Sequence, residues 1–164
     1  MPNDPILTYW DANLFLDYVS NTPGRIDILD ALIAESRSGD TQIATSILSI
    51  SEAAYSEAEK EARQADPLVE EALNMMFGDY SLLTLIEYDQ LIAVRARSLM
   101  RRTLSLEGSL KPADAIHLAS AEHIGADIVY SFDAKLQRRS IELDSGPVET
   151  PRVSQPRLPG IDSS

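Results

Sequence analysis

KPADAIHLASAEHIGADIVYSFDAKL, residues 111–136, is the stretch that decides the fold. Pro112 suits a first helical turn, where its missing N–H leaves nothing unpaired. The helix it opens is apolar on most sides, through Ala113, Ala115, Ile116, Leu118, Ala119 and Ala121. A helix that is apolar all round belongs inside a protein. Gly125 can take the left-handed conformation that ends it. Ile128-Val129-Tyr130 then reads as a short core strand, as in a parallel sheet. Into this buried setting the sequence places two acids, Asp114 and Asp133, with no obvious local Lys or Arg to neutralise them from inside the core. Buried carboxylates need hydrogen bonds, ionic partners or a metal.

Working outward, strands alternate with helices. Ile6–Trp10 reads as a first strand with Asp11 at its carboxyl end and a short helix from Leu14 to Val19. Residues 25–37 carry Ile26, Ile28, Leu29, Leu32 and Ile33 at helical spacing. Residues 42–45 read as a second strand, followed by one long helix from Ser46 to about Gln64 with Glu52 near its start. Asp66-Pro67 starts another helix, to Phe77; residues 81–85 read as a third strand, and residues 87–103 as a helix carrying Leu91, Ile92, Val94, Leu99 and Met100. Alternation of this kind implies a central parallel β-sheet between two helical layers, a three-layer α/β/α fold. Residues 1–143 form that domain. Residues 144–164 hold Pro147, Pro151, Pro156 and Pro159 and read as an extended tail with a short edge strand near Val148.

Composition narrows the function. The 164 residues suffice for one domain with a substantial core, and the absence of Cys excludes disulfides and thiolate zinc sites. The start of the chain has no basic, apolar leader, and no run approaches the length that spans a bilayer, so a cytoplasmic protein is expected. The net charge of −12 argues against loose attachment to nucleic acid. The distribution is uneven: residues 27–90 hold 14 acids and 3 bases, whereas residues 91–140 hold 8 bases and 5 acids.

Four acids fall where a parallel sheet delivers chemistry, the carboxyl ends of its strands. Asp11 follows the first strand, Glu52 lies on the helix after the second, Asp114 opens the helix before the last, and Asp133 closes that last strand. Singly, each has a plain structural use. Asp11 and Asp133 can be helix N-caps, worth about 1 kcal/mol. Glu52 and Asp114 can sit on helix dipoles, worth about 0.3–1 kcal/mol. Together on one edge they repel, and a hard divalent cation such as Mg²⁺ or Mn²⁺ relieves that repulsion.

These residues resemble the PIN domain family, the metal-dependent ribonucleases that include the VapC-type toxins of bacterial toxin–antitoxin pairs. The carriers are YWDANLFLDY, SILSISEAAY and the 111–136 stretch, in that order. The match covers about residues 6–140 and departs from the family at Gln137 and Arg138, where a further acid or Asn often stands. The resemblance implies hydrolysis of RNA phosphodiester bonds with Asp11, Glu52, Asp114 and Asp133 as the catalytic acids. Asp11, Asp114 and Asp133 would hold Mg²⁺ or Mn²⁺, directly or through water, Glu52 would complete the cluster or orient the attacking water, and Asn13 and Ser131 would orient the ligands or a phosphate. Arg97, Arg101, Lys135 and Arg138 are candidate phosphate contacts. The partners implied are RNA, a cognate antitoxin and a second copy of the chain, with no membrane. The alternative is a catalytically idle PIN-like binding module that acts through protein contacts around residues 68–77 or the tail. His117 reads as a hydrogen-bonded core residue rather than a general base. Tyr9 and Trp10 read as core, and the run from Glu57 to Glu61 as a solvated face.

Overall fold

The computed structural model describes residues 4–153. Its centre is a five-stranded parallel sheet in the order β3-β2-β1-β4-β5. The strands are β1 (Ile6–Trp10), β2 (Thr41–Ser46), β3 (Leu83–Ile86), β4 (Ile128–Tyr130) and β5 (Val148–Glu149). Helices α1 (Ala12–Val19) and α2 (Ile26–Ser38) lead from β1 to β2. Helices α3 (Leu48–Glu52), α4 (Glu57–Ala62) and α5 (Pro67–Phe77) lead on to β3. Helices α6 (Gln90–Arg102) and α7 (Pro112–His123) lead to β4, and α8 (Ala134–Leu143) to β5.

Side-chain alternation along the strands makes two cores, one on each face of the sheet. Tyr9, Ala44 and Val129 point to the first, with Ile92, Leu99, Leu118 and Leu136 from α6, α7 and α8. Trp10, Ile43 and Tyr130 point to the second, with Phe15, Leu29 and Phe77 from α1, α2 and α5. Phe15 is packed between Trp10 and Phe77, at ring centroid distances of 5.4 and 5.0 Å. This is the three-layer α/β/α arrangement expected. The chain leaves β1 for β2 and β3 on one side and returns for β4 and β5 on the other. The order therefore reverses at β1, and the crevice of such a sheet lies at the carboxyl ends of the strands there. Asp11 is the first residue past β1.

Three expectations need correction. The single helix from Ser46 to Gln64 is two, because Ser56 and Glu59 form a capping box that starts α4 afresh. The Glu59 carboxylate accepts the Ser56 and Asp66 N–H groups at 2.7 and 2.8 Å, so this acid is not on a solvated face. Those backbone bonds hold its pKa down. The third strand begins at Leu83 rather than Ser81, because Asp79 draws the Ser81 N–H and hydroxyl into a turn. On α6, Ile92, Ala96 and Leu99 are buried, whereas Leu91 and Val94 are exposed. The edge strand near Val148 is present, paired in parallel with β4. Of the tail 144–164, residues 154–164 lie outside the described ones.

Candidate active site

Asp11 is buried and caps α1, its Oδ1 accepting the N–H groups of Asn13 and Leu14 at 3.0 and 3.3 Å. Its own N–H donates to the Tyr130 carbonyl, which locks it to β4. Burial pushes its carboxyl above the usual range, against the opposing effect of a hydrogen bond from the Ser131 hydroxyl. Asp133 caps α8 in the same way, accepting the N–H groups of Lys135 and Leu136 at 2.8 and 3.4 Å. Ser131 stands between these two acids. Its hydroxyl accepts the Asp133 N–H at 3.1 Å, and its N–H donates to the Glu149 carbonyl. Both aspartates thus have the plain structural use expected of them, and both also lie at the same edge.

Asp114 is different. It is in the first turn of α7, whose N-cap, Lys111, offers no side-chain bond. Among the described residues no hydrogen bond reaches its carboxylate. Burial raises its pKa, and the charges of Asp133 and then Glu52 push the same way, against His117 and Lys111. The carboxylates of Asp133 and Glu52 are therefore close enough for Asp114 to sense both, although each comes from a different part of the chain.

Glu52 ends α3, and its Oε2 is hydrogen-bonded to Nε2 of His117. His117 is 3% exposed, and its Nδ1 is 2.6 Å from the Tyr9 hydroxyl. That hydroxyl also accepts the Ser46 N–H at 3.1 Å. Burial pushes the Tyr9 phenol far above its ordinary value, so it stays neutral. A chain of hydrogen bonds runs from β2 through β1 and α7 to Glu52. His117 is the hydrogen-bonded core residue expected, but its link to Glu52 is new. The signal was available: His117 follows Asp114 by three residues, so both lie on one helix face.

The donor set is chemically that of a hard cation: carboxylate oxygens, those of Asp11 and Asp114 with raised pKa values, and that of Asp114 without a hydrogen-bond donor among the described residues. Among the described residues, however, no three His, Cys, Asp or Glu side chains close into a ligand cluster as they stand. The residues fit the ion in chemistry, while their side chains stop short of a common point.

A family model of the PIN domain matches residues 8–142. The chain belongs to the PIN domain family. No curated protein sequence matches it. Solved structures match in fold. VapBC2 from Rickettsia felis, bound to a promoter DNA fragment, superposes with a TM-score of 0.64 at 12% identity, over 88% of this chain and 98% of that one. The Mycobacterium tuberculosis toxin VapC20, which cleaves the sarcin–ricin loop, gives 0.60 at 15% identity, over 80% and 93%. A toxin–antitoxin complex from Klebsiella pneumoniae gives 0.57 at 21% identity, over 90% and 99%.

In this PIN domain the remaining candidates are scattered. Asn13 is exposed at the mouth of a cavity that Asp133 also lines. Lys135 is two residues from Asp133, with its ammonium beside Gly108. Arg97 and Arg101 line a shallow depression on α6 that includes none of the four acids, and Arg138 lines another. Gln137, at the point of departure from the family pattern, donates to the Ser131 carbonyl and to the Thr150 hydroxyl, at 2.9 and 3.0 Å. It ties the site loop to the strand beyond. No helix among the described residues is long and apolar enough to cross a membrane.

Proposed function

We propose that this PIN domain is a metal-dependent endoribonuclease, the toxin of a type II toxin–antitoxin pair. The observation that carries the reading is the half-buried Asp114 carboxylate, which no donor among the described residues satisfies and which faces the charges of Asp133 and Glu52. An arrangement that costs free energy without a cation is explained by one. Asp11, Asp114 and Asp133 are the ligands for Mg²⁺ or Mn²⁺. Such an ion, when bound, acidifies the attacking water and stabilises charge on the phosphoryl oxygens. Glu52, held by His117, orients that water. Ser131 fixes Asp11 and Asp133 relative to each other, and Asn13, Lys135, Arg138, Arg97 and Arg101 supply contacts to the RNA. The toxin–antitoxin complexes among the structural neighbours support an antitoxin partner, and VapC20 supports RNA as substrate. A homodimer in the cytoplasm completes the reading.

The test is RNA cleavage by purified protein with Mn²⁺. Asp114→Asn is expected to abolish it while leaving the fold intact, because the carboxylate holds no other residue in place. Equal cleavage by the variant sinks the assignment. A second reading, an idle binding module, is favoured by the absence of a closed three-ligand cluster among the described residues. It predicts no thermal stabilisation by Mn²⁺, whereas the nuclease should be stabilised.

A further inference from the structure

Beside the acids lies a cavity of about 390 Å³ whose walls come from α1, the start of α4 and the loops that follow α1, α3 and β4. Asn13 and Asp133 connect it to the site just described. Its other notable lining residues are Tyr55, Arg25 and Phe132. Tyr55 is 58% exposed. Among the described residues its ring stacks on nothing and its hydroxyl bonds to nothing. The Arg25 guanidinium lies over the Phe132 ring, 4.2 Å from its centroid, and is ion-paired to Asp17 at 2.8 Å.

The charges say what this cavity does not take. Its lining holds three carboxylates, from Asp17, Glu57 and Asp133, and one cation, Arg25, already paired to Asp17. An anion is repelled there, so it is no seat for a phosphate. A planar, uncharged ring meets no such penalty. It gains from the free Tyr55 ring or from a guanidinium already held flat, the surfaces on which unpaired bases stack. The Asn13 amide, exposed and without a hydrogen bond among the described residues, has a donor and an acceptor to offer the edge of such a ring. The volume is that of a small-ligand site, enough for a single nucleoside.

We propose that this cavity seats one unpaired nucleobase of the substrate, stacked on Tyr55, adjacent to the phosphate handled at the acids. The chain then selects single-stranded or looped RNA, since a base inside a duplex cannot enter. This rests on the nuclease reading, and the experiment separates the two. A short unstructured oligoribonucleotide carrying 2-aminopurine is titrated into the Asp114→Asn protein, and the KM for cleavage is measured in the otherwise unaltered chain. Tyr55→Ala is expected to weaken binding and raise KM by about 5- to 150-fold, the range that base–aromatic stacking supplies, and to abolish the quenching of 2-aminopurine. Tyr55→Phe should retain both. Unchanged affinity and quenching in Tyr55→Ala overturn the proposal. So does a complex in which a polypeptide side chain fills the cavity while Tyr55→Ala leaves RNA binding untouched. Tyr55-dependent quenching without cleavage under any divalent ion leaves the base seat standing and sinks the nuclease. Cleavage with an unchanged KM in Tyr55→Ala sinks the seat alone.

Discussion

Tyr9→Phe removes a single oxygen from the core, and its cost follows from what that oxygen touches. The hydroxyl accepts the Ser46 N–H and bonds Nδ1 of His117. Ser46 is fully buried and His117 is 3% exposed, so water does not readily replace either bond. A buried polar group left without its partner costs about 1–3 kcal/mol. Two such groups give a loss of about 2–6 kcal/mol, against a total stability of about 5–15 kcal/mol for a domain. At the middle of that range, and at about 2–4 °C per kcal/mol for a chain of this size, Tm should fall by about 8–16 °C. Urea and thermal denaturation of the metal-free protein, followed by circular dichroism, measure it. At temperatures where the variant is still folded, RNA cleavage should also fall, because Glu52 is held by the imidazole that Tyr9 holds. A loss under about 0.5 kcal/mol, the size of an ordinary surface substitution, would refute the argument. It would mean that Tyr9 only fills space and that the line of bonds to Glu52 carries no load.

Other outcomes follow from the same geometry. The folded pKa of Asp114 lies above its ordinary value of 3.8. The folded state thus binds the proton more tightly, and the penalty is present at neutral pH and relieved as pH falls through the raised value. Metal-free Asp114→Asn should therefore melt above the parent at pH 7, with the gap closing on acidification in paired melting curves. Mn²⁺ should raise the Tm of the parent but not of Asp114→Asn, and EDTA should reverse the gain in the same assay. Arg139 is buried, ion-paired to Glu142 and bonded to the carbonyls of Glu107 and Gly108. Arg139→Met leaves the Glu107 and Gly108 carbonyls without their donor; it should cost about 1–3 kcal/mol and open the loop between α6 and α7 to limited proteolysis. Ser56→Ala removes half of the α4 capping box and should cost about 1 kcal/mol, read from urea midpoints.

The parallel sheet was legible because its strands are short apolar runs bounded by turn signals and separated by helical spacing. Ile128–Tyr130 was read at its true limits, and Gly125 turns at a φ of 66° where a left-handed residue was required. The long helix reads as one because Ala53 and Ala54, the best helix formers, carry the pattern across the break. The Ser56–Glu59 spacing that divides it is the sequence signature of a capping box. Of the apolar residues on α6, Ile92 and Leu99 are buried while Leu91 and Val94 are exposed; identity alone does not tell which side of α6 faces the sheet. At the site, order along the chain placed Asp11, Asp133, Glu52 and Asp114 at one edge. What it could not show is which of them are satisfied. That depends on Ser131, His117 and Tyr9. The bonds from His117 to Glu52 and to Tyr9 cross 65 and 108 positions, and Ser131 acts partly through backbone atoms.

The two capping aspartates have a consequence for reading relatives of this chain. Asp11 and Asp133 would be retained by a descendant that had given up hydrolysis altogether, since each still begins a helix. Asp114 begins nothing and anchors nothing. A lineage released from the reaction is free to discard it, so its loss, rather than that of its better-connected neighbours, is the mark by which a retired enzyme would be recognised.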